Sequence, residues 1–184
     1  MASKQTVFRL NSRQSIVDLA KTEEDIPKAA AYEVLIKIHS VALNFRDIAI
    51  ATSRYPFPVK DNLIPTSDAA GEIVEIGPNV QGFAVGDRVI ANFSPANLYG
   101  PMKDWNGGLG GPMDGVLRNY LPINANSVVK VSKESSLKAS QWAALVCTGT
   151  TAWNALYGNV PLKPGQTVLF QGKHAMIWEL NKHN

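Results

Sequence analysis

The sequence predicts a β-rich domain that feeds into an α/β domain. Three observations predict it. Short segments with strand period, each closed by glycine or proline turns, occupy the chain to about residue 130; helical runs follow them; and a short apolar segment ending at Gly172 reads as a buried strand.

Composition bounds the function classes. With 184 residues, 45% of them apolar and 18% charged, the chain can bury a real core and is not disordered. The net charge of +3 is scattered, with no three Lys or Arg residues together, which argues against nucleic acid as a partner. No apolar run approaches a membrane span, and residues 1–14 lack the apolar core of a secretory signal, so no membrane partner and a cytoplasmic location are expected. The single cysteine, Cys147, excludes an internal disulfide framework and a multi-cysteine zinc finger.

The elements follow in order. Residues 6–17 read as an opening strand and turn, and 21–27 as a polar connection. Residues 33–43 alternate Val34, Ile36 and Ile38 against Leu35, Lys37 and His39, the period of a half-buried strand in which His39 is a solvated residue. Residues 44–58 read as a short helix running into a proline-rich loop. Gly71 and Gly77 bracket a short strand, Gly77-Pro78-Asn79 turns it, and Gly86-Asp87 makes a second turn before a strand over 88–93. Residues 96–115 form a long irregular loop of the kind that is functional or mobile. Its glycines at 107, 108, 110 and 111 invite a phosphate-loop reading, which fails because no Lys-Ser/Thr pair follows them. A strand and turn cover 120–131. Ser135 or Ser136 caps a helix carrying Leu137, Trp142, Ala143, Leu145 and Val146, and a second helical run covers 151–157. A turn at 161–166 leads into the strand over 167–171, which has no sheet to join and is expected to be an aggregation or pairing edge.

Five ordered pieces, Asn44–Ile48, the glycines at 71 and 77, Gly86-Asp87-Arg88-Val89, Thr148–Leu156 and Leu162–Gly172, together resemble the medium-chain dehydrogenase/reductase superfamily. The resemblance implies that residues 1–131 form a GroES-like irregular β-barrel, the catalytic domain. Residues 132–172 would be the connecting helices and first strand of an incomplete NAD(P)-binding Rossmann domain, and 173–184 a tail outside the family pattern.

The zinc-dependent alcohol dehydrogenases of that superfamily carry Gly-His-Glu where Thr66, Ser67 and Asp68 stand here, and their helix cysteine has no counterpart in residues 44–47. Cys147 falls near a further zinc cysteine, but one cysteine cannot complete a catalytic zinc site, so no zinc is expected and Cys147 reads as a packed helix residue. The closer likeness is to the zinc-independent quinone and enoyl reductases. It implies hydride transfer from NADP(H) or NAD(H) to a small-molecule quinone or activated C=C or C=O substrate, with a hydrogen-bond donor replacing the metal.

By that likeness Tyr55, eleven residues after Asn44, is the proton donor. Asn44 and Asp47 orient the nicotinamide end, and Thr151, with Thr148 as its weaker neighbour, lines that pocket. Other readings stay open: Tyr55-Pro56-Phe57-Pro58 anchoring a loop by aromatic burial, Thr148 and Thr151 capping a helix break, Arg46 as a solvated helix-surface residue, and Asp68 paired with Arg46.

The family's glycine-rich phosphate turn is expected at 172–177, where His174 and Ile177 replace two glycines. This chain alone is therefore expected not to bind NADPH saturably at micromolar concentrations, and the tail is read as translation past an exon boundary. Two function classes remain: a reductase whose second half lies outside this sequence, and a cofactor-free short product binding a partner through its exposed strand and helices. A zinc alcohol dehydrogenase is the third reading, and a homo-oligomer is compatible with all of them.

Overall fold

The computed structural model describes residues 3–102 and 104–169. Seven strands and three short helices build it, with the β-rich part first, as the sequence predicts. Strand β1 (Lys4–Leu10) pairs antiparallel with β2 (Leu19–Asp25), Val7 opposite Thr22. Residues 21–25 are thus strand, where the sequence suggested a polar connection. The ribbon leaves alternate β2 residues exposed, so its sequence needs no apolar face. Arg9 holds the pair together across the ribbon, donating from Nε and Nη2 to the two carboxylate oxygens of Glu24 at 2.6 and 3.2 Å.

The main sheet runs β6 (Tyr120–Asn124), β3 (Glu33–Ala42), β4 (Asp68–Ile76), β5 (Arg88–Ala91), β7 (Val128–Lys130), every neighbour antiparallel. The ribbon is tied to the segments that precede β6 and β4, through Phe8 N–H to Leu117 O at 3.0 Å and Leu10 N–H to Leu63 O at 2.8 Å. Val34, Ile36, Ile73, Val89, Val116, Leu121 and Ile123 belong to the core cluster of the main sheet. Leu35 is buried as well, so β3 is covered on both faces.

Strand β4 begins at Asp68, three residues before the glycine expected to start it. Gly71 lies inside the strand because β3 approaches closely there: a Cβ would sit 2.2 Å from Lys37 O. Gly86, with φ of 90°, does make the turn into β5. That strand ends at Ala91, two residues early, and Phe93 turns away toward helix α1 (Phe45–Ala51).

The serines at 135 and 136 do not cap the next helix. Ser135 Oγ accepts from Leu137 N–H at 3.2 Å in a local turn, the chain stays extended at Lys138, and α2 (Ala139–Ala144) starts there with Gln141 Oε1 accepting Lys138 N–H at 2.9 Å. Helix α2 packs on β3 and β4. It then widens into a π-helical turn, Leu145–Gly149, and continues as α3 (Thr150–Tyr157) without a break. Of the strand expected over 167–171, residues 167–169 form no strand ladder with any described neighbour; residues 170 and 171, the altered phosphate turn and the tail lie outside the described residues.

Candidate functional site

The motif Asn44-Phe45-Arg46-Asp47 starts α1, and its side chains diverge to two separate clusters. Asp47 closes the helix start, its Oδ2 accepting the Asn44 backbone N–H at 2.8 Å. The Asn44 side chain is thereby free to reach away from its own helix.

It reaches Asp68, at the start of β4. Asn44 Nδ2 donates to Asp68 Oδ2 at 3.0 Å, Cys147 N–H donates to the same oxygen at 3.2 Å, and Ser67 Oγ donates to Oδ1 at 2.6 Å. Asp68 is 1% exposed, so this carboxylate survives in the interior on those three bonds. It ties together α1, β4 and the π-helical turn. Thr66, two residues before it, is a buried β-branched residue held at φ of 67°, and its hydroxyl has no described partner.

Cys147 and Thr151 stack one turn apart beside this knot. Burial pushes the Cys147 thiol up, the Asp68 charge adds to that, and the Thr151 hydroxyl partly opposes it. Thr151 itself is exposed. Thr148 does not cap a helix break; its hydroxyl bonds back to the Ala144 carbonyl within the continuous helix. Burial likewise raises the Asp47 carboxyl, with the Asn44 N–H and Arg46 opposing and Asp68 adding to the rise. Asp47 Oδ1 is buried and, like the Thr66 hydroxyl, has no partner among the described residues.

Arg46 leads to the second cluster. It neither lies free on the helix surface nor pairs with Asp68, because the glycine-rich loop closes over it. Its Nε donates to Tyr55 Oη at 3.1 Å, its Nη1 to Leu109 O at 2.9 Å, and the Phe93 ring lies 4.9 Å away. Gly111 lets the loop approach the guanidinium: a Cβ there would stand 2.4 Å from Nη2. Gly110 instead lets the loop approach the Thr66 backbone, where a Cβ would stand 2.3 Å from Thr66 O. Tyr55 packs edge-on to Phe57 at 5.4 Å, and Phe57 stacks on Trp105 at 4.4 Å, so the aromatic anchoring of this loop is real as well.

Asn44 and Asp47 thus meet in one cluster with Cys147 and Thr151 alongside, while no described hydrogen bond joins Tyr55 to any of them. Phe93, Trp105 and Leu109 are not singled out by sequence, and Ser67 is noted there only as a replacement in the zinc-enzyme motif. The one sequence signal for Trp105 and Leu109 was the crowding of four glycines around them. Among the described residues no group of three or more His, Cys, Asp or Glu side chains is placed to hold a metal ion.

Residues 30–133 match the family model described as the alcohol dehydrogenase GroES-like domain. A zinc-type alcohol dehydrogenase-like protein of Schizosaccharomyces pombe is 38% identical over 161 residues, 84% of this chain and 46% of that protein. The NAD(P)H oxidoreductase RTN4IP1, mitochondrial, of Dictyostelium discoideum is 29% identical over 158 residues, 83% of this chain and 40% of that one. In structure, an alcohol dehydrogenase superfamily protein of Novosphingobium aromaticivorans superposes with a TM-score of 0.76 at 23% identity, over 96% of this chain and 48% of the other, which speaks for the fold alone. The chain spans about half the length or less of the proteins it matches.

Proposed function

We propose, from the premise that this chain belongs to the alcohol dehydrogenase GroES-like family, that it is the substrate-side half of a zinc-independent NAD(P)H-dependent reductase. Its substrate is a small quinone or an activated C=C or C=O compound. The observation that carries the reading is the Asp68 carboxylate, whose oxygens are taken up by Asn44, Ser67 and the Cys147 N–H. A metal-ligand carboxylate presents its lone pairs to the ion, whereas three of the about four here are turned to protein donors.

Among the described residues, the groups near Asp47 suit the nicotinamide end of a dinucleotide; the position expected for its phosphate turn, 172–177, lies outside them. Asp47 Oδ1 is a buried acceptor in want of a donor, which the carboxamide of a nicotinamide offers. In the glycine-rich turn 107–111, Gly111 closes on Arg46 and Gly110 on the Thr66 backbone. Asn44, Asp47 and Thr151 would hold and orient the ring, whose chemistry when bound is to supply a hydride.

Tyr55 would supply the proton. Its oxygen accepts from Arg46, so its own hydrogen is directed elsewhere, toward the oxygen or carbon that becomes basic as hydride arrives. In a form completed by the nucleotide-binding half, Tyr55→Phe removes that hydrogen alone. Turnover should fall roughly ten- to a thousandfold with nucleotide affinity nearly unchanged. Unchanged turnover would leave Tyr55 as a loop anchor only.

A further inference from the structure

The geometry points to Arg46 as the positioning residue of the proton-delivery site, acting through Tyr55; this rests on the reading of Tyr55 as the donor. A half-buried guanidinium is ordinarily kept by a carboxylate, yet none of the described ion pairs includes Arg46. Its partners are a phenol oxygen and a backbone carbonyl, both neutral. The site therefore holds a fixed positive charge 3.1 Å from the atom that becomes negative if the phenol gives up its proton.

The directionality follows from counting. A phenol has one hydrogen and two lone pairs, and a guanidinium can only donate. Arg46 Nε must occupy a lone pair, and no described protein group accepts the Tyr55 hydrogen in return. That hydrogen is left for a ligand. A crevice of about 10 Å³ lies between Arg46, Tyr55, Phe93 and Trp105, and it borders an open hollow of about 360 Å³ through Ser94, Met102 and Asp104. A substrate oxygen entering from the hollow would reach Tyr55 through this crevice.

The step balances within the proposed reaction. The Tyr55 O–H bond breaks, the proton goes to the substrate atom made basic by hydride addition, and the electron pair stays on the phenolate beside Arg46. Water returns the proton afterwards. Gly111 leaves room for the guanidinium in this position, since a Cβ at 111 would displace Nη2.

The test is a double-mutant cycle in the full-length reductase, reading kcat and KM separately. Arg46→Met should lower kcat by about tenfold or more with little change in KM, and should add less than about twofold in the Tyr55→Phe background. Arg46→Lys, which keeps the charge and the fold, should recover part of the loss. Gly111→Ala displaces Nη2 without touching Tyr55, and it should lower kcat only when the tyrosine is present. Equal losses in both backgrounds, or no loss, would overturn the inference while leaving Tyr55 as donor. An unchanged kcat in Tyr55→Phe alone would remove both.

Discussion

Replacing Asp68 by alanine should be among the most damaging single changes in this fold, and its cost can be worked from three hydrogen bonds. Asn44 Nδ2, Ser67 Oγ and Cys147 N–H would each lose their acceptor. A donor left unpaired in the interior costs about 1–3 kcal/mol. Asn44 and Cys147 are only partly buried and belong at the low end, about 1 kcal/mol each, while buried Ser67 adds about 1–2 kcal/mol, for a sum of about 3–4 kcal/mol. Against a total stability of about 5–15 kcal/mol that is a large fraction. With a urea slope of about 2 kcal/mol/M, the unfolding midpoint should drop by about 1.5–2 M. Amide exchange at Cys147 should accelerate before the core strands open, because the π-helical turn loses its tether to β4. A midpoint shift below about 0.5 M would refute the claim that this carboxylate knots α1, β4 and the π-helical turn together.

Two further predictions concern the same framework. Gly71→Ala places a Cβ 2.2 Å from Lys37 O inside the sheet and should cost more than about 2 kcal/mol, whereas Gly82→Ala, at φ of 81° in open space, should cost about 1 kcal/mol; urea midpoints of the pair check the order. Asp47 has its native pKa raised by burial, so its contribution favours the fold below the ordinary carboxylate value of about 3.9 and is lost as pH rises through the raised one. Asp47→Asn removes that dependence, and its stability relative to the unsubstituted protein should improve from pH 4 to pH 7; an unchanged difference would contradict the assignment.

The strand–turn grammar was legible because its signals are local. Val34 and Ile36 enter the core and Gly86 turns as expected, although Leu35 between them is buried too. What stayed hidden depends on neighbours remote in sequence. Strand β2 is polar because it needs only β1, and Gly71 looks like a turn glycine until β3 is placed against it. The site divides in the same way. Asn44 and Asp47 stand out by the family resemblance of their motif, but Arg46 reads as an exposed helix residue until a loop more than sixty residues away covers it with Leu109. The Asp68 knot likewise needs Cys147, 79 residues on, and no sequence period links them.

The central claim is that hydrogen-bond donors of this chain replace a metal in the reductase. Its most direct test is NADPH oxidation with a quinone or enone acceptor by the full-length protein, measured with metal analysis before and after chelator treatment. The account predicts an unchanged rate with no stoichiometric zinc. A rate that is lost on chelation and restored by zinc would contradict it.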